Sequence, residues 1–229
     1  MKRSAISSIV FLVFVMGGLC FADYKQPATP SSINKPAHYP GDTYIVESIH
    51  PDNPKWNNVT KRLVISVEPD KLVMTSQNLV SKSKTIRTLE YTPGWNLIST
   101  RNANGSGVDF SPPLKYYEFP IYPGKTWKQN SVATNVKTGA TREFSLSGVV
   151  GGWEDVSVPA GTFKGIKVTL NSEIFVPATG KRSFGTDISW YVPELRRSVK
   201  SEMTSRNSEG IEGRQLIQLK EYELKNSPQ

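Results

Sequence analysis

The chain has 229 residues, enough for one ordinary β domain or two small ones, and its 37% apolar and 10% aromatic content excludes wholesale disorder. The formal net charge of +8 is scattered. Its longest basic cluster, Leu195-Arg196-Arg197-Ser198-Val199-Lys200, is split between two faces by strand alternation, so no nucleic-acid surface is indicated.

Lys2 and Arg3 precede an apolar run over residues 9–19, and Cys20-Phe21-Ala22 places small residues where a signal peptidase reads them. Residues 1–22 therefore read as a secretory leader, and the mature chain begins at Asp23. The run is too short to span a membrane comfortably, so no transmembrane span is expected after leader removal. Lipid attachment at Cys20 requires a leucine-like residue three positions before it and a small residue just before it. Gly17 and Leu19 stand there in the wrong order. The mature chain then has no cysteine, and disulfide and thiol chemistry drop out. The expected address is the periplasm or the extracellular medium. Residues 23–38, with Pro27, Pro30 and Pro36 among small polar residues, read as a disordered tether.

The folded chain is expected to start at Tyr39-Pro40-Gly41-Asp42-Thr43-Tyr44, which returns as Tyr122-Pro123-Gly124-Lys125-Thr126-Trp127. In each copy Pro-Gly makes a turn that starts a strand, and the closing aromatic enters the core. A looser echo pairs Lys61-Arg62-Leu63-Val64-Ile65-Ser66 with Arg142-Glu143-Phe144-Ser145-Leu146-Ser147. These echoes favour two pseudo-repeated halves, 39–110 and 111–229. The boundary falls at Ser111-Pro112-Pro113 and the aromatic connector Tyr116-Tyr117-Glu118-Phe119-Pro120.

Strands are expected at 63–67, 72–75, 84–91 and 95–100, with Glu68-Pro69-Asp70-Lys71 as a hairpin turn and 102–107 as a loop. The second half is more strongly patterned, with strands at 126–136, 141–150, 153–158, 163–176, 182–192, 197–205 and 211–224. On 182–192, Ile188, Trp190 and Val192 share one face. No segment sustains a helical period, and β-branched and aromatic residues hold the apolar positions. The fold class is all-β, a curved antiparallel sheet system of half-barrel or sandwich-like form.

The most specific stretch is Val158-Pro159-Ala160-Gly161-Thr162-Phe163, where Pro159 presets its own φ and Gly161 supplies the positive φ of a tight hairpin turn. It lies between Tyr122-Pro123-Gly124-Lys125-Thr126-Trp127 and Trp190-Tyr191-Val192-Pro193-Glu194, with Leu219-Lys220-Glu221-Tyr222 closing the series. In this order the motifs resemble a group of bacterial exported proteins of unknown function, periplasmic or lipoprotein-like, over residues 113–224 and, more loosely, over 39–91. The resemblance implies a curved, all-antiparallel β domain and an envelope address. It implies no catalytic residue.

The residues themselves offer little chemistry. His38 falls in the tether, and His50 sits beside Pro51-Asp52-Asn53-Pro54 with no nucleophile elbow in the chain. Two distant histidines without a mature cysteine make no typical zinc site. Ser81-Lys82-Ser83-Lys84 has Ser-x-x-Lys spacing, but that chemistry needs the start of a helix, and the surroundings read as strand and turn. Glu154 and Asp155 point to opposite faces of a strand and do not flank one glycosidic bond. No enzyme, cofactor or metal site is therefore expected.

Aromatic and apolar faces remain. Trp56, in Asn53-Pro54-Lys55-Trp56-Asn57-Asn58, is the best candidate for an exposed contact, and Trp153, after Gly151-Gly152, is a second. The leading function is a non-catalytic exported protein that binds an envelope or extracellular partner through loop aromatics. The alternative is a carrier of a lipid or other apolar ligand on a concave sheet lined by Ile166, Val168, Ile188, Trp190 and Val199.

Overall fold

Alternation of apolar and polar residues drives twelve segments into extended backbone, and each pairs antiparallel with the next along the chain. The structure is a computed structural model that describes residues 29–81 and 85–226. The leader, Cys20, the start of the tether and the lysines of the Ser-x-x-Lys pattern lie outside the described residues. The strands are β1 (Thr43–Ile49), β2 (Asn58–Val67), β3 (Leu72–Asn78), β4 (Ile86–Tyr91), β5 (Leu97–Asn102) and β6 (Gly107–Leu114). They continue as β7 (Thr126–Asn135), β8 (Thr141–Val158), β9 (Gly161–Val176), β10 (Lys181–Val192), β11 (Arg197–Asn207) and β12 (Glu212–Glu223).

β12 returns to pair with β1, Thr43 opposite Glu223 and Ile49 opposite Leu216. The all-β antiparallel class holds, but the sheet is a closed up-and-down barrel rather than a half-barrel or sandwich. Local alternation is the same in an open and a closed sheet. Closure is decided by whether the first and last strands meet, and here their meeting leaves no unpaired edge.

On β7 and β8 the barrel wall has an apolar inner face and a mostly polar outer one. On β7, Trp127, Ser131 and Ala133 are buried while Lys128, Asn130 and Val132 are exposed. On β8, Leu146, Gly148 and Val150 are buried while Glu143, Ser145 and Val149 are exposed. Lipid-spanning barrels show the reverse, an apolar band outside and a polar lumen. No helix among the described residues is long and apolar enough to cross a membrane.

The two Tyr-Pro-Gly turns are built alike. Gly41 and Gly124 take φ of 93° and 85°. Asp42 N–H donates to the Tyr39 carbonyl and Lys125 N–H to that of Tyr122, both at 3.1 Å. Gly41 then bonds Val64 at 2.9 Å and Gly124 bonds Val150 at 2.9 Å, and Tyr44 and Trp127 are buried just beyond. The structural counterpart of Val64 is thus Val150, not the Ser145 with which the sequence echo aligns it.

Two expectations about chain organisation are altered. The boundary placed at Ser111-Pro112-Pro113 falls inside β6, which pairs with β7 from Val108 to Ser111. Proline has no N–H for the ladder, and side chains of β7 take over there. Ser131 Oγ donates to the Pro112 carbonyl at 2.6 Å, and Gln129 Nε2 to that of Pro113 at 3.0 Å. The segment read as a tether is docked from Ile33 onward. Ile33 is buried and exchanges 2.8 Å backbone bonds with Ile121. His38 is also buried, with Nε2 donating to the Pro93 carbonyl at 3.2 Å and its ring edge-on to Trp95 at 4.8 Å. Burial holds its imidazole down at about 4, so it packs as a neutral ring.

The aromatic connector between β6 and β7 plugs the barrel at one end. Tyr117 packs against Tyr191 at 5.3 Å and Phe119 against Tyr191 at 5.7 Å, while Trp95 meets Tyr91 at 5.3 Å. At this same end the β8–β9 hairpin makes its two-residue turn, Val158 opposite Gly161 at φ 134°. A register shift between Val150 and Trp153 lets the hairpin curl back over the outside of the barrel. Ala160 N–H donates to the Leu219 carbonyl at 3.1 Å, and Phe163 packs on Tyr222 at 6.1 Å. Beneath it Gly165 lies against Trp190, Val156 and Val192, an apolar layer on the outer face.

Candidate functional site

Twelve strands enclose more space than their side chains fill; eight already suffice for a packed interior. A cavity of about 570 Å³ opens at the end opposite the aromatic plug. Its walls come from inward positions of β6, β8, β9 and β11: Leu114, Phe144, Leu146, Leu170, Ile174 and Met203. The rim is set by the β1–β2 connection, where a single 3₁₀ turn at Pro54–Trp56 carries Trp56 beside His50, their rings 5.8 Å apart. Asp52 fastens this connection to β12, accepting from Arg214 Nη2 at 2.7 Å and from its backbone N–H at 3.0 Å. The Arg214 hydrogen bond holds the Asp52 carboxyl below its usual range. Both partners are exposed, so the pair positions the loop more than it stabilises the fold.

Deeper in, toward the plug, lies a second chamber of about 330 Å³. It shares Tyr116, Leu170, Asp187, Met203 and Gln215 with the outer cavity, so the two are continuous. Arg62, Arg197 and Tyr91 also line it. Burial pushes the Tyr116 phenol well above its usual range and the Asp187 carboxyl up to about 6, the latter opposed by a hydrogen bond from Ser201. Among the described residues the buried Asp187 Oδ1 has no hydrogen-bond partner.

Asp187 should carry a pH-dependent penalty. Its folded-state pKa lies above the unfolded value, so the fold favours the protonated form. The penalty is absent below about pH 4 and grows as pH rises through about 6. Asp187→Asn is therefore expected to match the wild type near pH 4 and to exceed it at pH 8 by up to about 3 kcal/mol. Paired denaturant titrations across this range check it. His38, with the opposite shift, cancels in the difference; a constant gap would show that Asp187 is not desolvated.

The seven positions expected as contacts do not form one surface. Trp56 is 64% exposed at the cavity rim. Val168 lines the inner chamber, and Ile166, on the same face of β9, is fully buried. Ile188 and Trp190 lie on the outer face of β10, alternating with Asp187 and Ser189, which line the inner chamber. Trp190 Nε1 donates to Glu154 Oε2 at 2.8 Å, and the Lys200 ammonium stands 4.9 Å from its ring. Val199 occupies a bulge, since Trp190 pairs with Lys200 and Tyr191 with Ser198. Trp153 is half-buried against the core.

Sequence reasoning passed over Arg62, Tyr116, Asp187, Arg197 and Met203. The available signal is phase: Asp187, Ser189 and Tyr191 alternate with Ile188, Trp190 and Val192, and the sequence expectation takes the apolar set as the inner one. It is covered from outside by the curled hairpin instead. Among the described residues no group of three or more His, Cys, Asp or Glu is placed to hold a metal ion.

No family model and no curated protein matches the chain. Among solved structures it is similar to a "putative lipoprotein" from Parabacteroides distasonis, with a TM-score of 0.51 and 13% identity over 83% of this chain and 99% of that one. It is also similar to a "putative exported protein with YmcC-like fold" from Bacteroides fragilis, with a TM-score of 0.55 and 17% identity over 84% of this chain and 99% of that one. At these identities the likeness is one of fold.

Proposed function

We propose that this is an exported binding protein that holds a mostly apolar small molecule inside its barrel, admitted through the rim beside Trp56. The observation that carries the reading is the open cavity of about 570 Å³ walled by Leu114, Phe144, Leu146, Leu170, Ile174 and Met203. That volume falls within the range of small-molecule sites, and apolar walls with a few polar groups are their usual lining. The leader read at residues 1–22 supports export, and the polar outer wall suits a carrier that keeps its cargo out of water.

The test is native mass spectrometry of the protein purified from its host envelope, with organic extraction to identify the cargo. A stoichiometric apolar adduct is expected from the wild type. Met203→Trp fills the passage between the two chambers and should weaken binding about tenfold or more while the barrel still folds. A clean unliganded mass in every preparation, with no apolar probe bound, would overturn the reading.

A second reading, docking of an envelope partner, is supported by the exposed apolar residues at the open end. Trp56, Leu79, Val80, Val136 and Ile211 stand in or beside four of the connections there. A partner bound at this rim would face the cavity mouth.

A further inference from the structure

The inner chamber carries an unusual pair of charges. Arg197 is only 6% exposed, and its buried Nη1 has no hydrogen-bond partner among the described residues. Its Nε donates to the Ser198 carbonyl at 3.1 Å, and its guanidinium lies 4.5 Å from the Tyr44 ring and 6.0 Å from that of Trp95. Arg62, on β2, also lines the chamber; it is half-buried, and its buried Nε likewise has no partner among the described residues. Among the described residues neither makes an ion pair. Asp187, the one carboxylate lining the chamber, is paired with neither.

Burial, and then the neighbouring Arg62, press the Arg197 pKa down to about 10, so Arg197 remains cationic at neutral pH. A buried charge without a counter-charge is costly, and native proteins pair or hydrogen-bond such groups. Two arginines lining one chamber, each with a buried unpartnered nitrogen, suit the oxygens of a carboxylate or phosphate.

We infer that the inner chamber receives the anionic head group, carboxylate or phosphate, of an amphipathic ligand whose apolar tail lies along the outer cavity. This rests on the reading of the cavity as a ligand site. Tyr91 and Tyr116 stand at the chamber wall as further hydroxyl donors, and Leu170 and Met203 mark the passage from the polar end to the apolar one.

Calorimetric titration of the full exported chain with dodecanoate, dodecyl phosphate and 1-dodecanol tests it at pH 8. Either anion is expected to bind at least about tenfold more tightly than the alcohol, and to keep that preference at high salt because the pair is shielded from solvent ions. Whichever anion binds tighter identifies the head group. Arg62→Met should reduce the preference of the anions over dodecanol, with Arg197 alone left to hold the head group. The variant's unliganded form should melt no lower than the wild type, because the like charge that presses on buried Arg197 is gone. A purely structural arginine would instead lower the melting temperature. The wild-type comparison stands even if a variant fails to fold. Equal affinity for dodecanol and both anions would overturn the head-group assignment and leave the apolar cavity reading intact. No binding of any of the three would overturn both.

Discussion

Asp42→Ala is expected to cost about 3–5 kcal/mol, among the largest losses a single polar truncation can produce in this fold. Asp42 is fully buried and accepts three hydrogen bonds: from Lys225 N–H at 2.7 Å, Arg196 Nη1 at 2.7 Å and Tyr39 N–H at 3.2 Å. Those donors come from the turn before β1, the β10–β11 connection and the chain just after β12. The carboxylate therefore ties together three pieces of backbone beside the β1–β12 seam.

Arg196 is itself constrained, with φ at 61° and its guanidinium 4.6 Å from the Tyr39 ring. Removing Asp42 leaves it largely buried without a counter-charge. Thermal unfolding should fall by roughly 10 °C, taking about 2–4 °C per kcal/mol for a chain of this size. Asp42→Ala with Arg196→Met should recover part of the loss, since the orphaned charge is then gone as well. A loss below about 1 kcal/mol would show that water screens the pair as it would on the surface.

Gly148→Ala is the second large effect, and its sign is diagnostic. In an ordinary strand, replacing glycine with alanine gains about 0.5–1 kcal/mol. Here Trp127 lies directly opposite on β7, and its indole occupies the space of the missing side chain. A Cβ on Gly148 would stand 2.1 Å from Trp127 Cε2 and 2.2 Å from Cζ2. The ring must leave its site, and Trp127 is only 5% exposed. A loss of about 2–3 kcal/mol is expected for alanine and more for valine. Trp127→Leu should make Gly148→Ala tolerable, and the double-mutant cycle should show a coupling above about 1 kcal/mol. Additive losses would mean that the indole and the glycine do not compete for the same volume.

The sequence was most readable where one residue type has one physical use. Pro-Gly marked both turns that start β1 and β7, and Gly161 marked the β8–β9 hairpin, because glycine suits the positive φ each of these turns requires. Period two located most of the strands. What alternation cannot say is which face is inside when both are apolar. On β10 the outer face is apolar because the curled hairpin covers Trp190 and Val192, so the polar inner face with Asp187 looked like solvent.

Closure was hidden for a related reason, since pairing of β1 with β12 depends on residues at opposite ends of the chain. The plug was hidden too. Tyr116-Tyr117-Glu118-Phe119-Pro120 looks like a connector, and its role appears only when the barrel end it fills exists. The cavity itself is a product of strand number, which no local pattern encodes.

That seam also orders events in time. Every strand pairing but one joins sequence neighbours, so most of the sheet can zip together from short loops as the chain emerges amino end first. β1 alone must wait for the last strand to be delivered. Until β12 arrives, the nascent sheet presents an open edge on β1 and another on the newest strand, both able to pair with a second copy. The cell's risk of losing this protein to aggregation is therefore concentrated in the interval between the emergence of the first strand and that of the last.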